Sequence, residues 1–187
     1  GCALLRLHEL GEGPCFGPCR RDGTCAAPVF TEAVDYVAAD IDRWLTRGVR
    51  ADYLSDDELA TVRAARDLLP AFEDEPAIPC HRDYGPANWL VTDQGTWAGV
   101  IDFEFARWDV RVADFTRYPN WEYIERPELL EAFFEGYGRP LSPREKVQLR
   151  VGHVQYALAA VVWGHDNAYE GFAAEGHRAL RHLRSGL

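Results

Sequence analysis

The sequence predicts a mainly helical fold of the α+β class, with one small β-hairpin near its centre. Apolar residues recur at helical spacing on both sides of residues 76–101, whereas two short apolar runs flank a turn inside that segment. The length of 187 residues is close to that of one domain, and 47% hydrophobic residues are enough for a buried core. We therefore expect residues 1–187 to form a single domain.

The N-terminal part is predicted to contain three helices and one long loop. The first ten residues have the pattern of a helix that ends before Gly11. Residues 11–28 are rich in Gly, Pro and Cys and are expected to form a loop. Thr31 is placed to cap a second helix, whose apolar residues form a core-facing stripe. Residues 55–58 have a capping-box pattern and open a third helix, which Pro70 is expected to end.

The remaining elements follow from turn and capping signals. The apolar runs 89–91 and 99–101 flank Asp93-Gln94-Gly95, which is typical of a hairpin. Pro127 stands at the first position of a later helix. Residues 142–145 form a second capping box that opens a long helix, and a final helix is predicted from about residue 168 to 183.

Charge and hydropathy argue against several classes of function. The chain has 20 basic and 30 acidic residues and a net charge of −10, whereas binding to nucleic-acid phosphates needs a basic face. No apolar run approaches the roughly 18 residues of a membrane span, and the N-terminus lacks a signal-peptide pattern. We therefore expect no nucleic-acid partner, no membrane association and a cytoplasmic location.

The five cysteines allow two interpretations. Their odd number and the lack of a secretory pattern favour free thiols in a reducing cytosol. Alternatively, Cys15, Cys19 and Cys25, with His8 nearby, supply zinc ligands. Because C-x3-C-x5-C is not a standard zinc spacing, incidental thiols in a loop are the favoured interpretation.

Two polar clusters bracket the predicted hairpin. His81-Arg82-Asp83 and Asn88 precede its first strand, and Asp102-Phe103-Glu104 follows its second. A hairpin brings its ends together, so Asp83, Asn88 and Asp102 are expected to converge. Amide and carboxylate oxygens are ligands for Mg²⁺, which also takes substrate phosphates. If Asn88 and Asp102 hold the metal, Asp83 is left to accept a proton from an attacking hydroxyl, as in phosphoryl transfer.

The pattern H-x-D-x4-N, followed fourteen residues later by the Asp of Ile-Asp-Phe-Glu, resembles the catalytic core of the aminoglycoside phosphotransferase and choline kinase family. The opening segment 3–8 resembles the first helix of that family's C-terminal lobe, so the resemblance covers nearly the whole chain as one lobe of a protein-kinase-like fold. It implies an ATP- and Mg²⁺-dependent transfer of the γ-phosphoryl group to a hydroxyl of a small molecule. In that reaction Asp83 is the catalytic base, and Asn88 and Asp102 are the metal ligands.

Roles are also expected for the neighbouring residues. Glu104 is a candidate second metal ligand or a support for the first ones. His81 is expected to support the loop by a hydrogen bond, with a role as proton carrier as the alternative. Asp114, which matches a downstream Asp of the family pattern, is expected to bind backbone amides of the catalytic loop. Protein kinases have Gly at the position of Glu104 and an Ala-Pro-Glu segment later, so their absence here favours the small-molecule branch. Arg82 departs from the Gly that is common in that branch.

The parts that clamp ATP phosphates in such kinases are not found in the sequence. It contains no G-x-G-x-x-G segment, and its one lysine, Lys146, follows the motifs within a predicted surface helix. We therefore expect the N-terminal β lobe to be absent from this chain, which also contains no Met. The alternatives to an active kinase are a non-catalytic binding module and an interaction subunit that pairs with a separate N-terminal lobe or with itself.

The acceptor is expected to contact the later part of the chain. Acidic residues there are interleaved with aromatic ones, a combination that suits a cationic acceptor such as an aminoglycoside, with a link to antibiotic resistance, or a choline-like ammonium. A solvated acidic face over core aromatics is the alternative. The candidate acceptor-binding residues are Trp121, Trp163, Asp166 and Asn167.

Overall fold

The computed structural model describes residues 1–117 and 126–184. The helices described are α1 (Cys2–His8), α2 (Ala33–Arg50), α3 (Asp56–Arg66), α4 (Pro127–Tyr137), α5 (Pro143–Asp166) and α6 (Glu170–Leu183). The strands described are β1 (Ile78–Cys80), β2 (Trp89–Val91), β3 (Trp97–Val100) and β4 (Arg107–Asp109), and short 3-10 turns cover Leu69–Phe72, Pro86–Asn88 and Arg111–Phe115. Of the helices described, none is long and apolar enough to cross a membrane.

The chain divides into two compact units. The first comprises Gly1–Ala33 and Asp74–Ser142, and the second comprises Val34–Glu73 and Pro143–Leu187. The first unit holds both β-sheets with α1 and α4, and the second is built from helices. A single domain over residues 1–187 stays a prediction.

Two separate two-stranded antiparallel sheets lie in the first unit. The predicted hairpin is present as β2–β3, and it pairs Trp89 with Val100. Its turn is closed by the Thr92 N–H, which donates to the Thr96 carbonyl, and Gly95 adopts the positive φ of 75° that the turn requires. The second sheet, β1–β4, was not expected from the sequence, and it pairs Cys80 with Arg107.

The core of the first unit is aromatic. Helix α1 contacts α4 and β1, and Leu4 of α1 is fully buried. Phe115 lies edge-on against Tyr137 and Phe133, with ring centroids 5.1 Å and 6.2 Å apart. Edge-to-face packing of this kind adds about 0.5–1.5 kcal/mol per pair to the burial of the rings. This core fixes α1 and α4 around the segment that carries the polar motif.

The loop between α1 and α2 contains a disulfide. Cys15 and Cys25 are joined, whereas Cys19 has an exposed thiol. The expectation that all five cysteines are free thiols is therefore wrong for this pair. The zinc alternative also fails, because His8 is buried and engages Asp114 and Tyr137 instead of the loop cysteines.

Helices α5 and α6 of the second unit pack at very short range. A Cβ atom on Gly164 would lie 2.5 Å from the Ala173 nitrogen, and one on Gly176 would lie 2.6 Å from the Ala157 oxygen. Both glycines are therefore needed for this approach. The predicted capping box of α3 is present, since the Ser55 hydroxyl accepts from Glu58 N–H and the Glu58 carboxylate accepts from Ser55 N–H.

Candidate active site

The predicted catalytic loop connects the two sheets of the first unit. It leaves β1 at Cys80, crosses residues 81–85, and enters β2 through the 3-10 turn Pro86–Asn88. Pro86 occupies the first position of that turn, where a missing N–H has no cost. His81 is fully buried and Asn88 is almost so. The loop is thus anchored in the core at both ends.

Asp83 and Asn88 are in direct contact. The Asn88 amide nitrogen donates to the Asp83 carboxylate at 2.9 Å and to the Asp83 carbonyl at 2.8 Å. These bonds use both amide protons, so the amide oxygen of Asn88 is directed away from Asp83. Arg117 forms an ion pair with the other carboxylate oxygen of Asp83 at 3.2 Å. The carboxylate is therefore oriented from two sides while its side chain stays 32% exposed.

Asp114 binds two backbone N–H groups of the same loop. Its buried carboxylate accepts from His81 N–H at 2.8 Å and from Arg82 N–H at 2.5 Å. Arg82 has a φ of 71°, in the left-handed region that non-glycine residues seldom adopt. The two hydrogen bonds to the Asp114 carboxylate stabilise this strained conformation of the loop.

A hydrogen-bonded chain extends from Asp114 to helices α1 and α4. His8 Nε2 lies 3.0 Å from Asp114, and His8 Nδ1 lies 2.7 Å from the Tyr137 hydroxyl. Because Nε2–H donates to the carboxylate, Nδ1 accepts the Tyr137 proton. The Tyr137 oxygen in turn accepts from Arg111 at 2.7 Å. The predicted catalytic loop is thereby linked to residues of α1 and α4.

Cys80, His8 and Asp114 form a buried cluster in which one ligand atom of each lies within 4.8 Å of the others. The Cys80 thiol donates to the Val110 carbonyl at 3.5 Å, and burial raises its pKa well above the ordinary thiol value, with Asp114 and Asp109 adding to the shift. Both His8 nitrogens are engaged as well. The cluster is therefore a hydrogen-bonded part of the buried core of the first unit.

The second half of the motif lies just after β3. The Ile101 N–H donates to the Asn88 carbonyl at 3.0 Å, and the Ile101 carbonyl accepts from His81 Nε2–H at 2.9 Å. The two halves therefore meet through backbone groups. The side chains of Asp102 and Glu104 are exposed, and Asp102 has a φ of 67°. The exposed carboxylate of Asp102 and the amide oxygen of Asn88 are oxygen donors of the kind that Mg²⁺ takes.

A cleft of about 270 Å³ opens beside the loop. Its lining includes Arg82, Asp83, Asn88, Ala113, Thr116 and Arg117. Tyr84 also borders it, and burial, with a smaller effect of the Asp114 charge, raises the pKa of that phenol to about 12. The cleft is therefore walled by a neutral phenol and by the paired charges of Asp83 and Arg117.

The candidate acceptor residues of the second unit are engaged with their neighbours. Asp166 forms an ion pair with Arg47 at 2.5 Å and accepts from the Tyr53 hydroxyl at 3.2 Å. The Asn167 amide donates to the Trp163 carbonyl at 2.8 Å. Trp163 is 45% exposed. Trp121 lies outside the described residues.

Sequence reasoning missed several groups that the structure brings to the motif. Arg117 and Tyr137 carried no recognisable signal, since each is far in sequence from its partner.

In the second unit, His165 and His177 lie 3.2 Å apart, and the His177 ring contacts Glu58 at 2.7 Å. The sequence gives no indication of these two contacts, because they join residues of three different helices, α3, α5 and α6.

Comparison with known proteins identifies the family. A model of the phosphotransferase enzyme family matches residues 1–149. The chain belongs to this family. The match includes the whole motif from His81 to Asp114 and agrees with the resemblance in the sequence. No curated protein matches the chain.

Solved phosphotransferase structures share the fold. A macrolide 2'-phosphotransferase type I superposes with a TM-score of 0.59 at 20% identity. The match covers 96% of this chain and 56% of the macrolide phosphotransferase. A thermostable mutant of aminoglycoside phosphotransferase APH(4)-Ia, complexed with ADP and hygromycin B, gives 0.64 at 20% identity, with 98% and 64% covered. A choline/ethanolamine kinase family protein from Mesorhizobium loti gives 0.62 at 21% identity, with the same coverage.

These similarities confirm the predicted fold class. The chain has the mainly helical, kinase-like lobe with small β-sheets that the sequence predicts. It spans 56–64% of the length of these three proteins. Phosphotransferase-family membership is therefore a property of the chain, while the reaction of a complete enzyme is a matter of proposal.

Proposed function

We propose that this phosphotransferase-family chain carries the catalytic residues for ATP- and Mg²⁺-dependent transfer of a γ-phosphoryl group to a hydroxyl of a small molecule. The observation that carries the proposal is the Asp83–Asn88 pair, at 2.9 Å, on a loop whose backbone is bound by buried Asp114. A base and a metal-ligating amide held in one rigid loop are what positioning-dominated phosphoryl transfer requires.

Asp83 is the proposed catalytic base. Asn88 donates to one of its carboxylate oxygens and Arg117 pairs with the other, so the group is fixed but still reachable from the cleft. In a loose transition state the hydroxyl proton moves late, and the orientation of the acceptor matters more than the strength of the base. Asp83 then accepts that proton as the acceptor oxygen bonds to the γ-phosphorus and the bond from that phosphorus to the leaving ADP breaks.

Asn88 and Asp102 are the proposed ligands of Mg²⁺, with Glu104 as a further ligand or support. The amide oxygen of Asn88 is directed away from Asp83, and Asp102 lies one residue beyond Ile101, which is bonded to Asn88. When bound there, the metal neutralises phosphate charge. His81 and Asp114 keep the two ligand segments in register through the hydrogen bonds already described.

The proposed acceptor is an alcohol that carries a positive charge. Solved relatives include an aminoglycoside phosphotransferase complexed with ADP and hygromycin B and a choline/ethanolamine kinase family protein. Trp163, Asp166 and Asn167, together with Trp121, stay the candidates for acceptor binding. We place the reaction in the cytoplasm, where ATP is available as phosphoryl donor, and a role in antibiotic resistance follows if the acceptor is an aminoglycoside.

The role of Asp83 is tested by turnover. ADP release from Mg²⁺-ATP is measured with hygromycin B, a macrolide and choline as acceptors, for the complete enzyme that contains this lobe and for its Asp83→Ala variant. The substitution is expected to lower acceptor-dependent ADP release by at least about 10³-fold, the upper part of the range for loss of a general base. Asp93→Ala, in the exposed turn of the hairpin, is the matched control and should retain full turnover. Turnover that survives Asp83→Ala contradicts the assignment.

Calorimetry separates the kinase from the binding module. ATP is titrated into the chain with and without Mg²⁺, beside Asp102→Asn. We expect Mg²⁺-dependent binding that weakens at least about tenfold in the variant, because one carboxylate ligand is lost. Acceptor binding without any nucleotide binding would instead favour the non-catalytic binding module.

A further inference from the structure

The loop between α1 and α2 places three cysteines within eleven residues, and they are not equivalent. Cys15 and Cys25 form a disulfide with a Cα–Cα distance of 6.3 Å, and Cys15 is buried. Cys19 lies between them in sequence and has an exposed, free thiol. No role in phosphotransfer involves these residues. The question is whether Cys19 can reach the disulfide.

The backbone of the loop brings Cys19 opposite Cys25. The two residues form an isolated antiparallel bridge. The Arg20 N–H donates to the Thr24 carbonyl at 2.7 Å, and the Ala26 N–H donates to the Pro18 carbonyl at 2.9 Å. These bonds lie on either side of the cysteines, which makes Cys19 and Cys25 a non-hydrogen-bonded pair.

That type of pair satisfies the geometry of a disulfide. Residues in a non-hydrogen-bonded antiparallel pair have Cα atoms about 4.5 Å apart, with both side chains on one face. Disulfides join cysteines whose Cα atoms are about 4.4–6.8 Å apart. Cys25 therefore faces two cysteines that meet the distance requirement: Cys15, to which it is bonded, and Cys19.

We propose that Cys15, Cys19 and Cys25 form a thiol–disulfide exchange site with Cys25 as the shared sulfur. The Cys19 thiol loses its proton to solvent, and its thiolate attacks Cys25 Sγ. The Cys19–Cys25 bond forms while the Cys15–Cys25 bond breaks. The electron pair of the broken bond leaves on Cys15 Sγ, which takes up a proton. One disulfide and one thiol are present before and after, so no oxidant or reductant is consumed.

The two isomers differ in where the free thiol lies. The free thiol is the exposed Cys19 in one isomer and the buried Cys15 in the other. Closing the shorter loop, 19–25 instead of 15–25, favours the second isomer about twofold from chain entropy alone. Exchange would thus withdraw an exposed thiol from solvent.

The exchange would also act on the sheet beside the candidate active site. Gly17, two residues after Cys15, exchanges both backbone hydrogen bonds with Trp108 of β4, at 2.8 Å and 3.2 Å. Strand β4 pairs with β1, which leads into the catalytic loop. Release of Cys15 therefore removes a covalent tie next to this junction.

Disulfide mapping tests the proposal without any measurement of phosphotransfer. The chain is incubated at about pH 8.5, near the ordinary thiol pKa, with a trace of glutathione as catalyst. Free thiols are then alkylated and the peptides mapped by mass spectrometry. The wild-type chain should give both the Cys15–Cys25 and the Cys19–Cys25 linkage. Cys19→Ala should lose the second linkage completely.

Two further variants identify the shared sulfur. Oxidised Cys15→Ala should contain the Cys19–Cys25 disulfide, with both thiols protected from alkylation. Cys25→Ala should contain no disulfide in this loop. The proposal is overturned if Cys15→Ala, with its helical circular dichroism retained, leaves Cys19 and Cys25 alkylated, or if Cys25→Ala joins Cys15 to Cys19 equally well. Should Cys15→Ala lose its helical signal, the wild-type mapping decides alone, and the absence of a Cys19–Cys25 peptide there overturns the proposal.

Discussion

The two halves of the phosphotransfer motif are held in opposite ways. In residues 81–88 the backbone and side chains are tied down by buried groups, chiefly Asp114 and Asn88. In residues 101–105 the Ile101 backbone is bonded to His81 and Asn88 and the Phe103 ring contacts that of His81, but all the side chains are exposed. One half is therefore set by the folded core, and the other presents its side chains to solvent.

This difference agrees with the two roles proposed for the motif, a base at Asp83 and a metal ligand at Asp102. A base that must orient a hydroxyl gains from rigidity, because misplacement by about 1 Å can cost about a hundredfold in rate. A carboxylate for Mg²⁺ gains from access, since that ion keeps several waters and is bound by few protein ligands. The buried half fits the first task and the exposed half fits the second.

The largest expected difference between the halves is in stability. Asp114→Asn replaces an acceptor oxygen by an amide that faces donors from His81, Arg82 or His8. We expect a loss of about 3 kcal/mol in the free energy of unfolding, because buried donors are left without an acceptor. The matched change in the exposed half, Asp102→Asn, should cost within about 0.5 kcal/mol. Urea unfolding followed by circular dichroism measures the free energy of unfolding of both variants. Equal losses for Asp114→Asn and Asp102→Asn would contradict the predicted difference between the halves.

A second contrast concerns the titration of Tyr84, which lies in the buried half. Burial raises its pKa to about 12, so the folded chain favours the neutral phenol. This contribution to stability is fully present below about pH 10, the pKa of an unfolded tyrosine, and is lost as the pH rises through about 12.

Phenolate absorbance measures this titration. Subtracting the curve of Tyr84→Phe from that of the wild-type chain should isolate a step at about pH 12, whereas both chains in denaturant should differ by a step near 10. Between about pH 10 and 12 the Tyr84→Phe variant should also lose less stability than the wild type. A difference step near 10 in the folded chain would show that the loop does not exclude water.

The smallest expected effect compares two phenylalanines of the exposed half. The two rings are similarly exposed, Phe103 at 47% and Phe105 at 49%, but the Phe103 ring centroid lies 4.6 Å from that of His81 and so provides an aromatic contact between the halves. Phe103→Leu should lower the free energy of unfolding by about 1 kcal/mol, the range of one aromatic pair. Phe105→Leu should change it by no more than about 0.5 kcal/mol. Equal losses from the two substitutions would mean that the ring contact does not join the halves.

Much of the fold was predictable because its signals are local. The capping box at Ser55 and Glu58, the proline that begins α4, and the turn of the β2–β3 hairpin each fix an element within a few residues. The fold class follows from these elements and the apolar spacing between them. One predicted boundary differs from the structure. Helix α3 ends at Arg66, before Pro70, which lies in a separate 3-10 turn.

The remaining features depend on contacts between distant residues. The β1–β4 sheet joins two strands of three residues each, too short for an alternating pattern and without a turn between them. His8 and Tyr137 are 129 residues apart, and no sequence spacing reports their hydrogen bond. At the motif, residue types and spacing indicated which side chains to examine, but the ion pair between Arg117 and Asp83 arises from tertiary packing.

The conformation of Arg82 constrains how the loop can evolve. Its left-handed backbone suits glycine better than arginine, yet its side chain forms an ion pair with buried Asp109 at 3.3 Å. Replacing Arg82 by glycine relieves the backbone but leaves Asp109 without that charge, and replacing Asp109 leaves Arg82 with its strain and one partner fewer. Either replacement breaks the same ion pair, so the effects of the two changes on stability are expected to be non-additive, and the two positions form an epistatic pair.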